Sequence, residues 1–180
     1  MPRLALYTFG VLKSALTDPG PLTRALHDSG EAVYPEIGRH PGYLARAEAA
    51  DVERGGLFAA DWGAWGEFAV PAWYAKGRTA DTTALAATLS LWTGPRPAFD
   101  AVHTGLHREA LRRRADWFER TGHPGHVCWW VPDAVTPTWR DGVRRLDHLH
   151  THGPAPHAFT LRRPFAGDGT EPGGKDAARG

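Results

Sequence analysis

His103 and His107 lie four residues apart in the chemically most suggestive stretch of the chain, Thr82 to Arg120. On a helix, an i, i+4 pair projects both imidazoles from one face. Two imidazoles so placed can share a metal ion. They can also move protons near neutrality, because imidazole titrates at about 6.5. The HExxH context that strengthens the metal reading is missing. Proton transfer or hydrogen bonding to a substrate is therefore the expected chemistry, with His107 leading and His103 beside it, and no metal ion is expected. Tryptophan is the second unusual feature. Trp combines a large apolar surface with a single N–H donor. Of the 8 tryptophans, Trp62, Trp65, Trp92 and Trp130 are read as walls of a water-excluding pocket for an apolar or aromatic small molecule. Core packing is the competing reading for each.

Other reactive side chains carry less. His148, His150 and His152 fall in the last turn of a predicted helix, where positive charge suits the helix dipole. His123 and His126 flank a turn and a strand start, with no partner assigned. Arg112 to Arg114 read as a solvated or subunit-contact face. Cys128 is expected to be buried and inert, since reactive cysteines need nearby positive charge or a helix N-terminus. No Walker, GxSxG, CxxC or GxGxxG pattern is present, which argues against a nucleotide-driven enzyme or a serine hydrolase.

The elements that must position these residues follow from period. Arg3 to Phe9 predicts a first strand. Leu22, Leu26, Ser29, Val33 and Ile37 mark a helix face, with Pro35 expected to kink or end the helix. Tyr43 to Ala47 predicts a short strand. Glu48 to Ala80, rich in Trp and Gly, reads as an ordered flap or extra hairpin that can cover a pocket. Thr82 to Trp92 ends in partial alternation and predicts a strand. From Phe99 a ladder of Phe99, His103, His107, Leu111, Arg114 and Phe118 predicts one helix, with Gly105 expected to bend it. His126 to Val131 predicts a buried strand. Thr138 with Asp141 forms a capping-box pattern ahead of a helix whose inner face is Trp139, Val143, Leu146 and Leu149. Gly153 and Pro154 close that helix, and Ala158 to Leu161 predicts a final strand.

The fold class is therefore α+β, with a ferredoxin-like βαββαβ core and an extra C-terminal helix and strand. Such a sheet leaves one face in need of cover, which a second subunit can supply. Residues 1–166 are read as one domain with the Trp-rich insertion at about 48–80, and residues 167–180 as a disordered tail. A formal net charge of +1 gives no global bias toward nucleic acid or an anionic membrane. The single cysteine excludes an internal disulfide and fits a reducing compartment. No secretory signal or membrane span is read. A soluble cytoplasmic protein without nucleic-acid or membrane partners is expected.

The segments SLWT, HTGLHREALRRRADWF, CWWVP and TPTWRDGVRRLDHLHTHGPAPHAFTLRR resemble an uncharacterised bacterial domain-of-unknown-function family of the dimeric α/β-barrel superfamily. The resemblance runs roughly from Leu4 to Phe165 and is strongest after Ala87. The helix with Gly105-x-His107 is also similar to that of spheroidene monooxygenase-like proteins, whose relatives include haem-binding oxygenases. These resemblances imply a homodimer with a pocket between sheet and helices in each subunit. They single out His107, either as acid–base residue or as axial ligand of a haem. The family usually has an aromatic residue where this chain has His103.

The leading expectation is a small-molecule enzyme, oxygenase-like and either cofactor-free or haem-dependent, tailoring an apolar or aromatic metabolite. A ligand-binding or carrier module without turnover is the alternative. A structural dimer whose tryptophans only pack is the third reading.

Overall fold

The computed structural model describes residues 1–49, 56–75 and 84–171. Its elements run β1 (Arg3–Val11), α1 (Pro21–Gly38), β2 (Tyr43–Arg46), α2 (Ala72–Ala75), β3 (Leu85–Trp92), α3 (Pro95–His103), α4 (Gly105–Arg112), α5 (Arg114–Trp117), β4 (His126–Val131) and α6 (Trp139–His152). A short 3-10 turn, Gly63–Trp65, precedes α2. The sheet order is β2-β3-β1-β4, with every neighbouring pair antiparallel. Strand order and connections are those of the expected α+β, ferredoxin-like βαββαβ core.

Register decides which residues share a face, because successive side chains along a strand point opposite ways. Leu4, Leu6 and Thr8 of β1 pair with Trp92, Ser90 and Thr88 of β3, and with Trp130, Cys128 and His126 of β4. This face packs on Ile37 of α1 and on Ala98, Phe99, Ala101 and Val102 of α3, with Phe159, Leu161 and Phe165 completing the layer. The opposite face carries Ala5, Tyr7, Phe9, Leu89, Leu91, Val127 and Trp129. It packs under Trp139, Leu146 and Leu149 of α6 and under Trp62, Phe68 and Tyr74 of the insertion. The chain thus covers for itself the face for which a second subunit was the expected cover.

α6 begins as the local sequence dictates. The Thr138 hydroxyl accepts from the Asp141 N–H, and the Asp141 carboxylate accepts from the Thr138 N–H. Two otherwise orphaned donors are satisfied reciprocally. Close packing sets one further residue: a Cβ at Gly142 would lie 2.6 Å from the Tyr7 ring. Only glycine lets α6 approach the sheet this closely.

Four expectations need correction. The helix expected from Phe99 to Phe118 is broken into α3, α4 and α5. Thr104 is extended, and Gly105 adopts φ +52°. The Glu36 carboxylate then accepts from the Leu106 N–H at 3.1 Å, capping α4 from outside the segment. Pro35 does not end α1 early, since the helix runs on to Gly38. In α1 the inner face includes Thr23 and Val33, whereas Leu22 is exposed. Ala158 to Leu161 is not a strand. Phe159 exchanges two hydrogen bonds with Cys128, at 2.7 and 2.9 Å, while tight turns at Ala155–Ala158 and Thr160–Arg163 prevent further pairing.

The insertion is ordered where it is described, at residues 56–75; residues 50–55 and 76–83 lie outside the described residues, as does the tail from 172 onward. No helix among the described residues is long and apolar enough to cross a membrane.

Candidate functional site

The sheet separates the four candidate tryptophans into two layers. Trp62 and Trp65 belong to the layer under α6. Trp92 and Trp130 belong to the layer under α1 and α3. One pocket walled by all four is therefore ruled out by the position of the sheet. Trp62 packs edge-on to Trp139 (4.8 Å between centroids) and donates its N–H to the Leu57 carbonyl at 2.9 Å. Trp92 is buried and donates to Ser90 Oγ at 2.9 Å. Trp130 donates to the Phe165 carbonyl at 2.7 Å. With the indole N–H groups of these three already bonded, they are built as packing residues.

The histidines are brought together, though not as an i, i+4 pair on one helix. His103 ends α3, and His107 lies in the first turn of α4, beyond the break at Thr104–Gly105. His103 stacks on Phe99 with ring centroids 4.0 Å apart, and its Nδ1 donates to the Phe99 carbonyl at 2.9 Å. That bond fixes the proton on Nδ1 and leaves Nε2 as the basic nitrogen.

His107 is half-buried, and its Nδ1 is buried with no hydrogen-bond partner. Burial holds its imidazole below the usual range and His103 pushes the same way; the Val102 carbonyl and Glu36 oppose them.

A third histidine joins from the sheet. His126 opens β4 and shares the helix-covered face with Thr8 and Thr88, whose hydroxyls are 2.7 Å apart. Its Nε2 accepts from the Leu161 N–H at 3.4 Å. Burial depresses its proton affinity first, and His103, Arg162 and Arg114 add to the depression. Three imidazoles and two guanidiniums thus lie within electrostatic range of His126 or one another, and neither arginine makes an ion pair among the described residues. An arrangement of this sign attracts an anion.

Sequence reasoning left His126 without a partner and did not find Arg162, Thr8 or Glu36. Alternation along β1 and β4 puts Thr8 and His126 on their faces. Their pairing, however, is set by register, which no local signal carries.

On the other side of the sheet, His123 is stacked flat on Trp73 (3.9 Å, 2°) and lies 4.2 Å from the His150 ring. Asp147 is close to both, and burial raises its carboxyl above the usual range while the two imidazoles pull it down. His148 stacks on His152 and meets His157, so this histidine-rich helix end is not solely a dipole cap. Among the described residues, no group of three or more His, Cys, Asp or Glu side chains is placed to hold a metal ion. Cys128 is fully buried, and burial pushes its thiol well above the range of reactive cysteines.

A cavity of about 330 Å³ lies between α1 and the α4–α5 segment, and none of the six candidate residues lines it. His107 leaves α4 on another face from the lining residues Leu106, Glu109, Ala110 and Arg113. A haem with His107 as axial ligand fits poorly. The ring's neighbours are the Val102 carbonyl, His103 and the Glu36 carboxylate, and it does not line the adjoining cavity.

Residues 3–174 match the sequence pattern of the domain of unknown function DUF3291, and the chain belongs to that family. No curated protein matches the chain. A solved structure of a protein of unknown function from Nitrosomonas europaea aligns at a TM-score of 0.43 and 12% identity, covering 76% of this chain and 96% of that one. A likeness of that size bears on neither fold nor function.

Proposed function

We propose that this member of the DUF3291 family is a small-molecule enzyme that uses histidine acid–base chemistry on a substrate carrying an anionic group. One observation supports the reading above the others: His103 lies within electrostatic range of both His107 and His126, from three separate elements, and Arg114 and Arg162 lie within range of His126, with neither arginine ion-paired among the described residues. The cluster is built within one chain, so the reading needs no second subunit.

The chemistry follows from the charges. Burial holds His107 and His126 below the usual imidazole range, and Arg162 and Arg114 add to the depression at His126. An anionic substrate group placed near Arg114 and Arg162 offsets that field and raises the proton affinity of His126. His103 Nε2 carries a free lone pair in a fixed orientation and is the first candidate for the base. His107 takes the second proton-transfer role. Proton abstraction is also the first step of a cofactor-free oxygenase, so the oxygenase-like chemistry implied by the spheroidene monooxygenase resemblance is one form of this reading.

The test is solvent-proton exchange. Small carboxylic acids with an acidic C–H are incubated with the protein in deuterium oxide, and deuterium uptake is followed by NMR. Catalysed exchange in the parent, lost in His103→Gln and reduced in Arg162→Ala, is the expected result. Ligand-induced stabilisation without exchange would turn the protein into a binding module. Equal behaviour of parent and variants would remove the site.

A further inference from the structure

We propose a second small-molecule site, for an organic ammonium that also carries an oxygen acceptor, in the groove between α1 and the α4–α5 segment. The groove has a volume of about 330 Å³, within the range of small-ligand sites. Its apolar wall is formed by Val33, Ala110 and Trp117. Asp28 and Glu109 stand on the lining from opposite helices, both exposed, and neither makes an ion pair or a hydrogen bond among the described residues. The lining's cation, Arg113, is already engaged. It pairs with Asp116 at 3.4 Å and lies 4.9 Å over the Trp117 ring. The groove therefore carries an uncompensated excess of negative charge beside hydrocarbon.

Trp117 supplies the second, independent observation. It is 5% exposed, yet its indole N–H is buried with no acceptor. Buried indole donors are ordinarily bonded. The same ring lines both the main groove and the small cavity that adjoins it at Leu12, Thr23 and Leu26. A ligand that places an ammonium between Asp28 and Glu109, lays its carbon skeleton on Val33 and Ala110, and offers a hydroxyl, ether or carbonyl oxygen to Trp117 satisfies all three features. Charge and donor together select this class over fatty acids, which Asp28 and Glu109 repel, and over plain hydrocarbons, which leave the N–H unbonded. The site is separate from the histidine cluster, because none of the three histidines lines it.

The experiment uses the full chain labelled with ¹⁵N. The Trp117 indole resonance is identified by its loss in Trp117→Phe or, should that variant misfold, by its contacts to the Val33 methyl groups. 2-Phenoxyethylamine and its neutral counterpart 2-phenoxyethanol are titrated in parallel. The expected result is a saturable shift of the Trp117 resonance by the amine, with a Kd of about 1 mM or tighter. The alcohol should bind roughly tenfold more weakly, and Asp28→Asn combined with Glu109→Gln should weaken the amine by a similar factor. His126→Gln should leave amine binding unchanged, which separates this site from the acid–base reading. An unmoved Trp117 resonance, equal binding of amine and alcohol, or parent-like binding by the double variant would overturn the proposal.

Discussion

The two faces of the sheet are both buried and both rich in aromatic residues, yet they differ in what their strands place inward. Under α6, Tyr7, Trp62, Phe68 and Trp139 form a continuous ring contact network, with centroid distances from 4.8 to 6.2 Å. Its strand positions are apolar apart from the Tyr7 hydroxyl and Arg3 at the end of β1. Under α1 and α3, the strands place Thr8, Thr88, Ser90 and His126 on the inward face among Leu4, Leu6 and Trp92. Polar groups are costly to bury and persist there only when bonded or used. Aromatic density therefore marks packing in this molecule, whereas the proposed chemistry rests on a polar residue in inward register, His126.

The largest effect should come from the packed face. Trp139→Ala is expected to cost about 3–5 kcal/mol in urea denaturation, because Trp139 is buried against three other rings. A loss near that of an ordinary surface change would mean that this face is not the main core. Next, Gly105→Ala should cost about 1–3 kcal/mol and alter the His107 titration. It forces a side chain into the left-handed region and onto the Glu36 carboxylate. Retained stability with an unchanged His107 titration would show that the break at Thr104 is not what places this histidine.

Trp130→Phe keeps the ring contact and removes the donor to Phe165, for an expected cost of about 1 kcal/mol. Loss of catalysed exchange without that loss of stability would return Trp130 to the site. The smallest effect is on pH dependence. His107 and His126 have folded-state proton affinities below their unfolded ones. The unfolded chain therefore binds more protons as pH falls through about 6.5. Stability is full above that value and declines below it toward the folded pKa values. His126→Gln should flatten the decline measured by chemical denaturation between about pH 7.5 and 5.5. An unchanged slope would place the acid sensitivity elsewhere.

What was legible in the sequence was local. Thr138 and Asp141 specify the start of α6 within four residues, and the inner face Trp139, Leu146, Leu149 follows from helical period. β1, β3 and β4 are legible from alternation and apolar runs, and their order of connection gives the βαββαβ frame. Contacts between distant residues were not. Gly105 signals a bend, but the residue that converts the bend into a break is Glu36, 70 positions away. Trp92 and Trp130 share a face because both pair with Leu4, and Trp62 lies across the sheet because the insertion folds back under α6. The histidine pair was found for its helical spacing, while the helix supposed to carry it is interrupted between the two. Their association with His126 depends on tertiary packing.

The Glu36 carboxylate has a mechanical consequence. It is the pin joining two levers: α1 on one side, and on the other the first turn of α4, which carries His107. Sliding or splaying of the two helices strains this joint before it disturbs the sheet. The position of His107 relative to the fixed His126 is thus tied to the spacing of α1 and α4, the same spacing that sets the width of the groove between them.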